Sequence, residues 1–324
     1  MIKITSKTSL FAALTSLLII PKAALAEDYD VYGKVEVQIA DTDTGKMKYA
    51  AEGTQIDAPF SRIGIKGQRK LNDYFTAVFK YEVQVKGFES NDTAQPFSAR
   101  NTYLGLKGAF GEVLVGRNDS RFKYSEGKLD NFNETQADMS QIIAGQDRIG
   151  DTITYSSNYW NNAQFSFTYA PKDDATAEKS GFAATFIYGD RSLKKTPYYV
   201  SLSHVDSLND GLGNEIVVAS RIVAVYKFEQ LKLGALYQHS ESVDGAKSGD
   251  GYVLSASYEL DKWVPKVQFA TDDSTLRQAS EATQWSTGVD YLFDKQTSAY
   301  FLYTDLDLDA TSDSSVALGL KYNF

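Results

Sequence analysis

Alternation with a period of two runs along the chain from about residue 29 to its end. In residues 29–39, Tyr29, Val31, Gly33, Val35, Val37 and Ile39 share one face, and Asp30, Tyr32, Lys34, Glu36 and Gln38 share the other. Residues 74–86 repeat the pattern, with Phe75, Ala77, Phe79, Tyr81, Val83 and Val85 opposing Thr76, Val78, Lys80, Glu82, Gln84 and Lys86. The closing segment brings Val316, Leu318, Leu320, Tyr322 and Phe324 to one face. A helix would scatter these residues around its circumference, whereas a strand aligns them. The fold class is therefore all-β.

Sixteen such segments can be placed, at 29–39, 60–68, 74–86, 99–107, 112–117, 148–157, 164–170, 181–189, 197–205, 216–228, 231–239, 251–260, 263–271, 283–292, 297–306 and 313–324. Connections after odd-numbered strands are long and polar, 118–147 being the longest; those after even-numbered strands are short, down to 229–230 and 261–262. An antiparallel up-and-down sheet with that alternation has one rim of tight turns and one of large loops. This is the layout of a transmembrane β-barrel with short periplasmic turns and long extracellular loops.

Amphipathic strands alone do not say which face points outward, because a small soluble barrel turns its apolar face inward. Sixteen strands, however, enclose a lumen too wide for side chains to fill. The polar face also carries Lys34, Glu36, Arg62, Lys80 and Glu82, which are poor material for a dry core. Apolar residues are therefore expected against lipid and charges against water. The barrel must also close, since an open edge would leave unpaired backbone groups in hydrocarbon.

The first residues change the picture in one respect. Lys3 and Lys7 precede an apolar run over 8–20, and Ala24, Leu25 and Ala26 form an A-x-A cleavage site. This is the pattern of a cleaved secretory signal peptide over 1–26, and the run is short for a bilayer-spanning helix. A single barrel domain is then expected over 27–324. Loss of Lys3, Lys7 and Lys22 takes the formal charge from −9 to −12. The chain has no cysteine, so neither a disulfide framework nor a thiolate metal site is available, and no cofactor is expected. Its acidity argues against nucleic acid as a partner. A negative mean hydropathy does not argue against the membrane, because a barrel strand offers lipid only alternate residues.

With the strands placed, particular strings become informative. Tyr32-Gly33-Lys34, then Arg62-Ile63-Gly64-Ile65-Lys66-Gly67, then Arg100 through Gly108 followed by Phe110, Gly111, Gly116 and Arg117, and then Arg148, Ile149, Thr154 and Tyr155 occur in order along the chain. Together with a terminal Phe324 and Tyr322 two residues before it, they resemble the general diffusion porins of Gram-negative outer membranes along essentially the whole mature length. The resemblance implies a homotrimer of sixteen-stranded barrels in the cell outer membrane, among outer-membrane lipids and lipopolysaccharide. It implies a third long loop folded into the lumen, here 118–147, and a C-terminal signal, Tyr322 and Phe324, read by the outer-membrane insertion machinery. Carried over by position, Lys34, Arg62, Arg100 and Arg148 would form a basic ladder on the wall. Acids of the third loop would face it; that loop lacks the family's Pro-Glu-Phe-Gly-Gly-like tip and offers Glu126, Asp130, Glu134 and Asp138. Asp130 and Glu134 are the expected constriction acids, with Glu82 also inward by strand parity. Arg100 fits less well, because its parity is shared with Leu104 and Leu106.

The implied function is a water-filled channel for small hydrophilic solutes and ions. Opposed charges about 10 Å apart interact by roughly 0.4 kcal/mol in water and about 1.7 kcal/mol at an effective dielectric of 20. That orients dipolar solutes and biases ions without binding them. From the mature charge of −12, a mild cation preference is expected. A substrate-selective porin, with Tyr32, Phe122, Tyr124 or Phe132 as sugar platforms, is an alternative. An outer-membrane barrel enzyme is a more remote one, because the only histidines, His204 and His239, continue lipid-facing parity and no nucleophile or metal motif is present.

Overall fold

The computed structural model describes residues 29–324 except 48, 59, 87, 89–94, 173–178 and 210–215; the expected signal peptide lies outside the described residues. Among the described residues seventeen strands build one sheet: β1 (Tyr29–Thr42), β2 (Gly53–Asp57), β3 (Arg62–Lys70), β4 (Phe75–Val85), β5 (Phe97–Gly108), β6 (Gly111–Asp119), β7 (Arg148–Ser156), β8 (Ala163–Ala170) and β9 (Gly181–Gly189) come first. They are followed by β10 (Tyr198–Asn209), β11 (Ile216–Phe228), β12 (Leu231–Ser242), β13 (Ser248–Tyr258), β14 (Trp263–Asp272), β15 (Ala282–Leu292), β16 (Thr297–Asp307) and β17 (Ser312–Asn323). Apart from β2 and β3, each pairs antiparallel with its neighbour in sequence. The first pairs with the last, from Lys34 opposite Asn323 to Thr42 opposite Ser315, so the barrel closes. Gly33 and Phe324 exchange backbone hydrogen bonds of 3.0 and 3.1 Å at the seam.

The staves number sixteen because β2 and β3 are two halves of one. Both pair with β1, β2 along Gln38–Thr42 and β3 along Tyr29–Lys34. The expected strand at 60–68 is thus longer and broken. Pro59, which has no N–H to give a ladder, stands in the sequence at the break. Ser61 substitutes a side chain for the missing rungs: its hydroxyl accepts from Glu36 N at 3.0 Å and donates to Glu36 O at 3.2 Å.

Burial is inverted relative to a water-soluble protein. Leu318 is 57% exposed and Leu104 65%, whereas Lys34 is 5% exposed and Glu36 fully buried. The outer surface carries an aromatic set that includes Phe165, Phe186, Trp263, Trp285 and Phe301, as a lipid-facing wall requires. The inner wall carries Gln38, Thr154, Thr168, Ser201, Gln238, Gln268 and Thr304.

The segment between β6 and β7 does not leave the barrel. It opens with a helical turn at Arg121–Tyr124, capped by Ser120, and contains a 3-10 turn at Met139–Gln141, capped by Asp138. It lies along the inner wall of the second half of the barrel. Tyr199 and Ser201 of β10 donate to Ser125 O at 2.9 and 2.7 Å, and Ser255 of β13 donates to Leu129 O at 2.7 Å. Asn131 N reaches Gln268 of β14 at 3.0 Å, and Gln238 of β12 holds Ala144 O at 3.1 Å on the return path. Leu129, Met139, Ile142 and Ile143 bury against Val223, Val225, Leu236 and Val253. These inward positions of β11–β13 are apolar because a loop, not water, covers them.

Candidate functional site

The tip of the inward loop ends at Glu134, opposite the first strands. Its carboxylate lies 2.7 Å from Lys34 Nζ of β1 and 3.1 Å from Arg100 Nη2 of β5, and it also accepts from Arg62 of β3. Three of the four expected ladder cations therefore converge on one of the expected loop acids. Burial disfavours the Glu134 charge, but Lys34, Arg62 and Arg100 together hold its carboxyl well below the usual carboxylate range. The fourth cation, Arg148, sits one step further round the wall. It pairs with Asp119 of β6 at 3.1 Å and donates to Asn101 at 2.8 Å.

Backbone irregularities make this convergence possible. The β4–β5 register shifts between Tyr81–Thr102 and Val83–Ala99, leaving an extra residue on β5. Arg100 thereby turns inward although Leu104 and Leu106, of the same parity, face lipid. On β6, Val113 and Val115 would place Arg117 outside by strict alternation. Gly116 intervenes at φ +129°, and Arg117 lines the internal cavity instead.

Two of the expected acids are placed differently. Asp130 does not face the basic wall. Its oxygens accept from Phe132 N at 2.7 Å and Met139 N at 3.0 Å, tying the two limbs of the loop together. Burial and then the nearby Asp138 push its carboxyl up to about 8. Glu82 is inward but stands on the same wall as the cations. It accepts from Arg100 Nε at 2.8 Å and Tyr32 OH at 2.7 Å, and lies 3.2 Å from Lys80. It spaces the ladder and does not oppose it.

Between the loop and the wall lies a polar cavity of about 190 Å³. Arg100, Arg117, Arg148 and Lys123 line it, with Glu134, Asp138 and Asp147 as its carboxylates and Tyr49 and Phe60 as its aromatic edge. Asp138 also organises the tip, accepting from Glu134 N and Ser140 N, each at 2.8 Å. Sequence reading missed Arg117, Lys123 and Asp119, and named Asp138 only among the acids the loop offers. The signal for Arg117 was the Gly immediately before it; the loop residues carry no periodic signal at all. A buried brace behind Lys34 was missed as well: Glu36 binds Lys34 at 2.6 Å and accepts from Tyr300 OH at 3.1 Å, and Lys321 lies 3.5 Å away.

The larger grooves are elsewhere. One of about 960 Å³, lined by Tyr198, Ala224, Leu233, Ala235, Leu254 and Trp285, is apolar and lies on the lipid-facing surface. Phe122 and Phe132 are fully buried, packing the loop against the wall, and offer no open platform to a sugar. Both histidines are on the outer surface: His204 contacts Ser220 at 2.9 Å, and His239 contacts Asp250 at 2.8 Å and Ser248 at 3.4 Å.

Comparison with known proteins agrees with this architecture. A family model described as Gram-negative porin matches residues 13–311. The major outer membrane protein P.IB of Neisseria lactamica is 24% identical, over 98% of this chain and 100% of that protein. An anion-selective porin from Comamonas acidovorans superposes with a TM-score of 0.75 at 21% identity, over 92% of this chain and all of that one. Salmonella typhi OmpF in complex with daunomycin superposes at 0.74 with 19% identity, over 92% of this chain and 98% of that one.

Proposed function

The chain belongs to the Gram-negative porin family of outer-membrane channels, and on that footing we propose that it passes small hydrophilic solutes and ions by passive diffusion, sieved at the constriction beside Glu134. The observation that carries this is the inward loop, which narrows the lumen to a polar passage while an apolar exterior faces lipid. Assembly as a homotrimer, export after cleavage behind Ala26, recognition of Tyr322 and Phe324 by the insertion machinery and contact with lipopolysaccharide are parts of the same proposal. Family membership supports them.

Charge preference is decided at the narrowest point. The overall acidity of the mature chain favours cations, but charges on distant loops are screened over about 8 Å at physiological salt. Counted with the groups that pair to its lining, Lys34, Arg62, Lys80, Arg100, Arg117, Lys123 and Arg148 outnumber Glu36, Glu82, Asp119, Glu134, Asp138 and Asp147 by one. The local field is therefore positive, and a mild anion preference replaces the cation preference expected from net charge. The test is a reversal potential in planar bilayers under a KCl gradient. Stepwise conductance with a chloride-favouring potential is expected; a clear potassium preference overturns the charge assignment, and no conductance overturns the channel.

A further inference from the structure

Below the constriction, two arginines that play no part in it converge on a single ring. Arg121, in the helical turn that opens the inward loop, places Cζ 4.8 Å from the centroid of Tyr124. Arg191, in the 190–196 turn between β9 and β10, places Cζ 4.1 Å from the same ring and donates from Nε to Tyr124 O at 3.1 Å. That turn is one of the short ones, so it belongs to the periplasmic rim. Its contact fixes Tyr124 and Arg121 on the periplasmic face of the loop.

We propose that the Arg121–Tyr124–Arg191 cluster is a binding station for a small oxyanion, a phosphate or the carboxylate of a passing solute, at the periplasmic mouth of the pore. The proposal rests on the channel function above and adds a ligand class to it. Arg121 is only 7% exposed, yet its Nε has no acceptor and its guanidinium forms no ion pair among the described residues. A buried guanidinium without an anion is costly, and bidentate capture of an oxyanion is the arrangement its donor fork fits.

Glu112 lies near Arg121 and Glu126 near Arg191 without forming an ion pair to either guanidinium, and the other nearby carboxylates are committed. Asp190 accepts from Ser192 N, Lys194 N and Lys195 N of its own turn at 3.0, 2.8 and 2.7 Å. Asp119 holds Arg148. Further cations border the place: Lys232 Nζ donates to Lys128 O at 2.8 Å, and burial together with Arg191 and Lys194 holds the Lys128 ammonium below its usual range. An anion leaving the constriction thus meets a second positive site, in which Arg121 Nε has no partner.

The test uses the full-length protein in planar bilayers at constant ionic strength. Inorganic phosphate and succinate are titrated separately into KCl, and the half-blocking concentration of each is read from current interruptions. Wild type is expected to show saturable block by at least one, and the arm with the lower half-blocking concentration identifies the source. Arg191→Gln is expected to raise that concentration about tenfold, and Arg191→Lys, which keeps charge but loses the fork, to fall between. Lys70→Gln, which alters a periplasmic turn elsewhere on the rim, is expected to leave it unchanged. Normal KCl steps without block by either anion, or an equal effect of Lys70→Gln and Arg191→Gln, overturns the station while leaving the channel intact. Absence of KCl steps overturns the channel itself.

Discussion

Glu134 and Lys34 stand a hundred residues apart in sequence and 2.7 Å apart across the lumen. The inward loop is therefore tied to the wall at its tip, and the passage runs beside this contact, not across an open gap.

Removing the tie is expected to loosen the tip and unmask three cations. Lys34 is almost wholly enclosed and Glu134 about one-fifth exposed, so the pair lies between a buried and a surface bridge and its loss costs roughly 1–3 kcal/mol of loop docking. Glu134→Gln should give larger, noisier single-channel currents and a reversal potential moved further toward chloride. Unchanged current and selectivity would mean the tip is held by its apolar contacts alone.

The loop should respond to pH in two separate windows. Glu134 has a depressed carboxyl, so its docking contribution is complete above the ordinary carboxylate range and is lost as pH falls below it. Asp130 is raised to about 8 by burial and by Asp138, so its contribution is complete below about 4 and declines as pH rises toward 8. Protease protection of the loop or gating noise, followed from pH 3 to 9, should decline at both ends. Asp130→Asn should flatten the alkaline limb alone; an alkaline limb that persists in that variant would remove Asp130 from the account.

Much of this was legible in the sequence, and the exceptions have local causes. Alternation fixed the facing of Val35, Lys34 and Leu318 because the period of a strand leaves no choice once one face meets lipid. It fitted Arg100 poorly and gave no sign of the inward turn of Arg117, because one extra residue or one positive-φ glycine reverses the side chains beyond it. It did not reveal where the loop lies. A trace of that was present: Ile222, Val223, Ala224 and Val225 are apolar on both faces, which a water-lined strand would not be. The roles of Asp130 and Glu134 could not be separated, since aperiodic chain gives no orientation and the choice depends on which carboxylate finds backbone N–H groups and which finds Lys34.

Gly116 is expected to be irreplaceable in proportion to side-chain size. It sits at φ +129°, and an added Cβ would approach Thr102 O at 2.5 Å. Gly116→Ala combines strain of about 1–3 kcal/mol with that clash. A lower temperature of heat modification on gels should follow, with Gly116→Val worse. Unaltered stability in both variants would show that the backbone can adopt an ordinary conformation there, and the inward placement of Arg117 would then need another cause.

The terminal residue has a mechanical role besides any role in recognition. Phe324 exchanges two backbone hydrogen bonds with Gly33 and its ring stacks 6.1 Å from Tyr322. Deleting Phe324 removes the last rung of the seam, whereas Phe324→Ala keeps the rung and removes the ring. If the aromatic ring serves as an insertion signal, Phe324→Ala should lower the amount of protein in the outer membrane without lowering the stability of what is inserted as much as the deletion does. Equal losses on both measures for the two variants would assign the residue to closure alone.

The contacts of His239 with Asp250 and Ser248 invite a hydrolase reading that the backbone argues against. Acyl transfer needs N–H donors aimed at a developing oxyanion as well as a base and a nucleophile. Ser248 opens β13 as the last pair of the β12–β13 ladder, opposite Glu241, and its hydroxyl is 3.4 Å from the imidazole, a weak contact. Purified protein is expected to hydrolyse neither phospholipid nor ester substrate, and His239→Ala to conduct as wild type does, because the side chain is on the outer surface, away from the lumen. Turnover by the wild type that disappears in both His239→Ala and Ser248→Ala would require a catalytic site on the outer rim of this barrel.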